Sequence, residues 1–129
     1  MDFKNKTVLI TGASSGIGKQ TAIEFAKLSA NIILVARRKE KLDELVNELK
    51  KFNVIALACQ CDVSDKKQVK VMSETVLEKF ESIDVLVNNA GFAIYGSVKD
   101  LSIDEIESQM ETNYFGMMYC IKNLSLIHI

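Results

Sequence analysis

An α/β fold built on a parallel sheet is predicted by three features of this 129-residue sequence. Short continuous apolar runs alternate with stretches of one-sided helical periodicity, the pattern of strands buried on both faces beneath helices. A glycine-rich turn joins the first apolar run to the first helical stretch. No proline, repeat, linker or low-complexity segment interrupts the alternation.

The elements follow in order. Lys6-Thr7-Val8-Leu9-Ile10-Thr11 reads as the first strand and residues 16–29 as the first helix. Asn31-Ile32-Ile33-Leu34-Val35-Ala36 is the second strand, followed by a helix over 39–51 whose stripe is Leu42, Leu45, Val46 and Leu49. A third strand spans 54–60, and a helix over 65–81 carries Val69, Met72, Val76 and Phe80 on one face. The fourth strand is 83–88 and the last helix 103–123. Ser64 and Ser102 are placed as N-caps, the second with Glu105 three residues on as a capping box.

Parallel strands need right-handed crossovers, and that rule sets the strand order. Strands 1, 2 and 3 march outward in one direction, so their two helices share a face. Strand 4 then returns to the far side of strand 1, and the last two helices cover the opposite face. The order is 3-2-1-4, a doubly wound, Rossmann-like sheet. Ligands bind such sheets at the carboxyl ends of the strands where the winding reverses, here between strands 1 and 4. The loops Gly12 to Gly18 and Asn88 to Gly91 flank that point.

Composition narrows the function. Sixteen basic against seventeen acidic residues give a net charge of −1, and no basic tract points to nucleic acid or a membrane surface. No apolar run reaches the roughly 18 residues of a membrane span, and Met1-Asp2-Phe3-Lys4 lacks a signal-peptide core, so a cytoplasmic protein is expected. The three cysteines are read as reduced, half-buried small hydrophobes; Cys59 and Cys61 share a strand face but are splayed too far for an easy disulfide. A Cys-x-Cys metal pair is the alternative, with no further Cys or His near it in sequence. The single histidine, His128, is the next-to-last residue and leaves serine–histidine catalysis little to use.

Chemistry is concentrated in the glycine turn. Gly12 can make the tight turn, Gly16 can let the main chain approach a pyrophosphate, and Gly18 can let helix and strand pack closely. Ser14, Ser15 and Ile17 complete the turn, and the anion would sit on the N–H groups of the helix start. An ordinary strand-to-helix turn is the competing reading. After the second strand the run Ala36-Arg37-Arg38 has no acid to accept bonds from an adenosine 2′-hydroxyl, and Arg37 offers a guanidinium to a 2′-phosphate, which favours NADP over NAD. The other reading makes Arg37, Arg38 and Lys39 a solvated helix start, although cations there oppose the helix dipole.

The spacing Gly-x-x-x-Gly-x-Gly, with Thr11 before it, resembles the classical short-chain dehydrogenase/reductase family. Asp62-Val63 after the third strand, Asn88-Asn89-Ala90-Gly91 after the fourth, and Asn113 in the last helix stand in that family's order. The resemblance covers nearly all of residues 5–123. It implies that Asp62 holds the adenine amino group, that Val63 lines the adenine pocket, and that Ala90 and Gly91 leave room for a ribose. Asp62 as a strand-end residue helping to cap the next helix is the alternative, and Asn88 and Asn89 are read as half structural, their amides tying strand loops together. Asn113 lies among Met110, Phe115, Met117, Met118 and Ile121, where a buried amide needs hydrogen-bond partners. In the family the matching asparagine holds a water of the catalytic proton relay.

Family members complete that relay with a serine and a Tyr-x-x-x-Lys pair well after the asparagine. Tyr95-Gly96-Ser97-Val98-Lys99 matches the letters but precedes Asn113 and holds a glycine in a loop, so it is rejected. The expectation is therefore an incomplete dinucleotide-binding domain, residues 1–123, ending before a fifth strand, with an atypical tail at 124–129. The expected function is an NADP-dependent oxidoreductase moving a hydride between nicotinamide and a carbonyl or alcohol substrate, of which this chain is the cofactor-binding half. A dinucleotide-binding module without turnover is the alternative. A homo-oligomer is expected, because the last helix commonly packs against its counterpart in a second subunit of the intact family.

Overall fold

The computed structural model describes residues 2–125. Four parallel strands, β1 (Thr7–Thr11), β2 (Asn31–Ala36), β3 (Ala56–Gln60) and β4 (Val85–Val87), form one sheet in the order β3-β2-β1-β4. Between them run α1 (Gly16–Lys27), α2 (Lys39–Leu49) and α3 (Lys66–Lys79), and after β4 comes α4 (Ile103–Met110). The helix continues through a π-helical segment, Glu111–Gly116, then α5 (Met117–Cys120) and a second π segment, Ile121–Ser125. This is the expected Rossmann-like arrangement.

Strand residues alternate between two cores because successive side chains point to opposite faces. Val8, Ile10, Ile32 and Leu34 pack with Ala22 and Ala26 of α1 and Leu42, Leu45 and Leu49 of α2. Leu9, Ile33 and Val35 pack on the other face with Val69, Met72 and Val76 of α3 and with Cys120 and Leu124. The pairing of helices follows the crossover argument.

Element ends differ from expectation for local reasons. Side chains take over the ladder at both ends of β4: Asp84 Oδ2 accepts the Thr7 N–H at 2.8 Å, and the Asn89 N–H donates to Thr11 Oγ1 at 3.0 Å. The strand is thus three residues, Val85–Val87, and not 83–88. Helix α1 stops at Lys27 because Ser29 takes the left-handed conformation (φ 67°). A 3-10 turn, Lys50–Phe52, closes α2, with Asn53 left-handed after it. The α3 cap is Asp65, whose carboxylate accepts from the Lys67 N–H at 3.0 Å, and not Ser64; the Ser64 hydroxyl already donates to Asp62 at 2.7 Å. Ser102 caps α4 as expected, accepting from the Glu105 N–H at 3.1 Å.

Candidate functional site

The strand-to-helix turn after β1 opens on an uncapped helix. Ser15 is the N-cap of α1 and its side chain makes no capping bond, so the first turn's N–H groups meet the space in front of the sheet bare. Gly12 and Gly16 both have positive φ, 64° and 56°. Their surroundings differ: a Cβ on Gly12 would stand 2.9 Å from Ala90 Cα, whereas one on Gly16 would meet nothing within 4 Å. Gly18 is close-packed, because a Cβ there would overlap the Gly12 carbonyl oxygen.

The Asn88–Gly91 loop is bolted to this turn. Thr11 Oγ1 accepts the N–H groups of Asn89 and Ala90, both at 3.0 Å, and the Asn89 amide donates to the Gly12 carbonyl at 3.1 Å. Asn89 thus ties the loops, as its residue type suggested.

At the end of β2, Gln60 Nε2 donates to the Arg37 carbonyl at 3.0 Å. Both Arg37 and Arg38 are exposed and border the space in front of the glycine turn. The Arg38 guanidinium reaches across to it, donating to Ser14 Oγ at 3.2 Å and Ser15 Oγ at 3.4 Å. Sequence reasoning had treated Arg38 only as part of a helix start. The pairing of adjacent arginines with a Ser-Ser turn is a signal visible only once β1 and β2 are known to be neighbours.

After β3, Asp62 accepts from Ser64 through both its N–H (3.0 Å) and its hydroxyl, while the Asp62 N–H donates to Gln68 Oε1 at 2.9 Å. Val63 is buried beside it. The three cysteines are free and buried, more deeply than the half-burial expected of them. Burial pushes the Cys61 thiol up to about 12, with Cys120 and Asp62 nearby adding to the shift, and pushes Cys120 to about 11. Both are inert thiols at neutral pH.

Asn113 is exposed, not buried as expected, yet both ends of its amide are used. Oδ1 accepts the Phe92 N–H at 2.9 Å and Nδ2 donates to the Phe92 carbonyl at 2.7 Å. A helical side chain therefore completes the hydrogen bonding of the loop after β4.

These loops enclose a crevice of about 690 Å³ at the carboxyl ends of the strands, a size typical of small-molecule sites. Gly12, Ser14, Ser15, Gly16, Ile17, Arg37, Asp62, Val63, Asn89 and Ala90 are among the residues that line it. Gly18, Asn88 and Asn113 do not line it. Phe92, Glu111 and Thr112 do, and nothing in their residue types had marked them.

The family model described as short chain dehydrogenase matches residues 6–126. The chain belongs to the short-chain dehydrogenase family. An NADP-dependent 3-hydroxy acid dehydrogenase of Schizosaccharomyces pombe is 47% identical over 116 residues, which are 88% of this chain and 45% of that protein. Among solved structures, an alcohol dehydrogenase from the archaeon Thermococcus sibiricus, complexed with 5-hydroxy-NADP, matches with a TM-score of 0.92 at 33% identity, covering 94% of this chain and 52% of that one. L-sorbose reductase from Gluconobacter frateurii, complexed with NADPH and L-sorbose, matches with a TM-score of 0.91 at 34% identity, covering 96% and 48%. This short-chain dehydrogenase chain thus spans about half the length of the relatives it matches. Among the described residues, no helix is long and apolar enough to cross a membrane.

Proposed function

We propose that the crevice holds the adenosine and pyrophosphate parts of NADP, and that this chain is the cofactor-binding half of an oxidoreductase acting on a small carbonyl or alcohol substrate. The observation that carries this reading is the bare start of α1, set at the reversal of sheet winding. Its uncapped N–H groups and the open space over Gly16 suit an anion. Asp62 has one carboxylate oxygen committed to Ser64, which leaves Oδ2 to accept from an adenine amino group. Val63 forms the wall beside it, and Asn89 with Ala90 borders the ribose. Arg37 supplies the charge for a 2′-phosphate, which favours NADP over NAD. Asn113, by holding Phe92, orders the loop that leads to the reacting end and serves the proton relay there.

The bound nicotinamide supplies the hydride chemistry, and the protein supplies binding and orientation. The similarity to relatives named for NADP supports the cofactor choice.

A calorimetric titration of the chain with NADPH and with NADH tests the reading. NADPH should bind more tightly and raise folding stability by about 2.7 kcal/mol at a hundredfold excess over its dissociation constant. A melting midpoint indifferent to saturating NADPH would refute the site. A dinucleotide-binding module without turnover is the second reading. NADPH oxidation assayed against 3-oxo acids, L-sorbose and simple ketones separates the two. Turnover by this chain alone would contradict the view that it is only the cofactor-binding half.

A further inference from the structure

Gly116 is a glycine in the middle of a helix with no conformational reason to be one. Its φ of −58° and ψ of −44° are ordinary helical values open to any residue. Glycine in a helix interior destabilises it relative to alanine. The requirement is space. A Cβ on Gly116 would lie 2.8 Å from Val63 Cγ2, 3.0 Å from the Val63 carbonyl oxygen and 3.2 Å from its carbonyl carbon. Two of these three neighbours are backbone, and the third belongs to a β-branched side chain with little rotamer freedom, so no easy adjustment relieves the overlap. Gly16 is the contrast, since its need is a positive φ with nothing close by.

The contact sits at a sensitive point. Gly116 is the last residue of the π segment Glu111–Gly116, and Glu111 and Thr112 of that segment border the crevice. Val63 is 6% exposed and forms part of the crevice wall beside Asp62. One turn further on, Cys120 is buried in the same core cluster as Cys61 and Val63. The helix therefore bears directly on Val63 of the wall, on its side chain and its carbonyl group alike.

We propose that Gly116 is a positioning residue that sets the placement of Val63 and Asp62, and with it the width of the crevice on the adenine side. This rests on the reading of the crevice as an adenine-nucleotide site. A methyl group at 116 pushes Val63 and the Val63–Ser64 peptide away from the helix and toward the space the base would fill.

The test titrates the full chain with NADPH and with 2′,5′-ADP, which probes the adenine end alone, in Gly116→Ala, Val63→Ala and the double variant. Gly116→Ala should weaken both ligands about tenfold, the scale of overpacking by one methyl group. Val63→Ala in that background removes Cγ2, the nearest of the three atoms, and should recover part of the loss, the two backbone contacts remaining. A Gly116→Ala chain that melts earlier but binds both ligands with unchanged affinity would overturn the proposal, as would a double variant no better than the single. If Gly116→Ala does not fold, Val63→Ile presses the same contact from the other side, and unchanged affinity there overturns the proposal equally. If the unsubstituted chain binds neither probe, the nucleotide-site reading has failed and the positioning role falls with it.

Discussion

The Thr11 hydroxyl and the Asn89 backbone join the end of β1 to the end of β4, with the Asn89 N–H 3.0 Å from Thr11 Oγ1. The same oxygen takes the Ala90 N–H, so one buried hydroxyl satisfies two loop donors. Thr11→Val keeps the shape and removes the acceptor. It should cost about 2 kcal/mol, the range for buried donors left unpaired, while Thr11→Ser stays near the parent. Urea denaturation measures both; equal stability of the valine and serine variants would show that the hydroxyl is dispensable.

Asn113 and Phe92 exchange two hydrogen bonds across twenty-one residues of sequence. Because the site is exposed, their loss in Asn113→Ala should cost only about 1 kcal/mol in global stability. The local effect should be larger. Hydrogen exchange of the Phe92 amide is expected to accelerate well beyond that of the β1 core, and retained protection would show that the loop holds itself.

Arg37→Ala should weaken NADPH by roughly ten- to a hundredfold and leave NADH nearly unchanged, the scale of a lost charged hydrogen bond. Arg38→Ala releases Ser14 and Ser15 as well, and should also weaken NADPH more than NADH. Paired titrations decide it, since an equal loss for both cofactors would make these arginines structural.

The raised thiols give a pH dependence of fixed sign. Cys61 at about 12 and Cys120 at about 11 keep their protons in the folded chain at pH values where an unfolded thiol, near about 8.5, has lost its own. Their contribution to stability is fully present below that unfolded value and is lost as pH rises through 11 to 12. Urea midpoints should therefore fall with rising alkalinity above about pH 8.5, and less steeply in Cys61→Ala. An identical slope in that variant would show that the thiol does not cause the fall.

Assembly follows from what the chain leaves uncovered. Met110, Tyr114 and Phe115 are 48%, 47% and 45% exposed on the last helix, and β4 is an outer strand of the sheet. Apolar patches and open edges favour association. Sedimentation velocity over a concentration series should show self-association, against which a compact monomer at all concentrations would count.

The sheet order was legible in the sequence because handedness leaves few ways to wind four parallel strands, and because buried strands and one-sided helices have different periods. The glycine turn and the Asn88–Gly91 loop were legible for the same reason: topology placed them at one crevice. Element ends were less so. Asp84 and Asn89 end β4 by side-chain bonds to residues some eighty positions away, and Asp62 draws off the hydroxyl that would have made Ser64 the cap. Local propensity carries no trace of such partners.

Residue order by itself determined the α/β class, the winding and the location of the crevice, since these depend on periodicity and on backbone permissions that each residue carries with it. The tertiary structure alone decided that Arg38 reaches Ser14 and Ser15, that Asn113 spends its amide on Phe92 in the open, and that Gly116 packs against Val63. Each of these is a contact between segments distant in sequence, and its energy depends on distances that exist only after the two sheet faces have been packed.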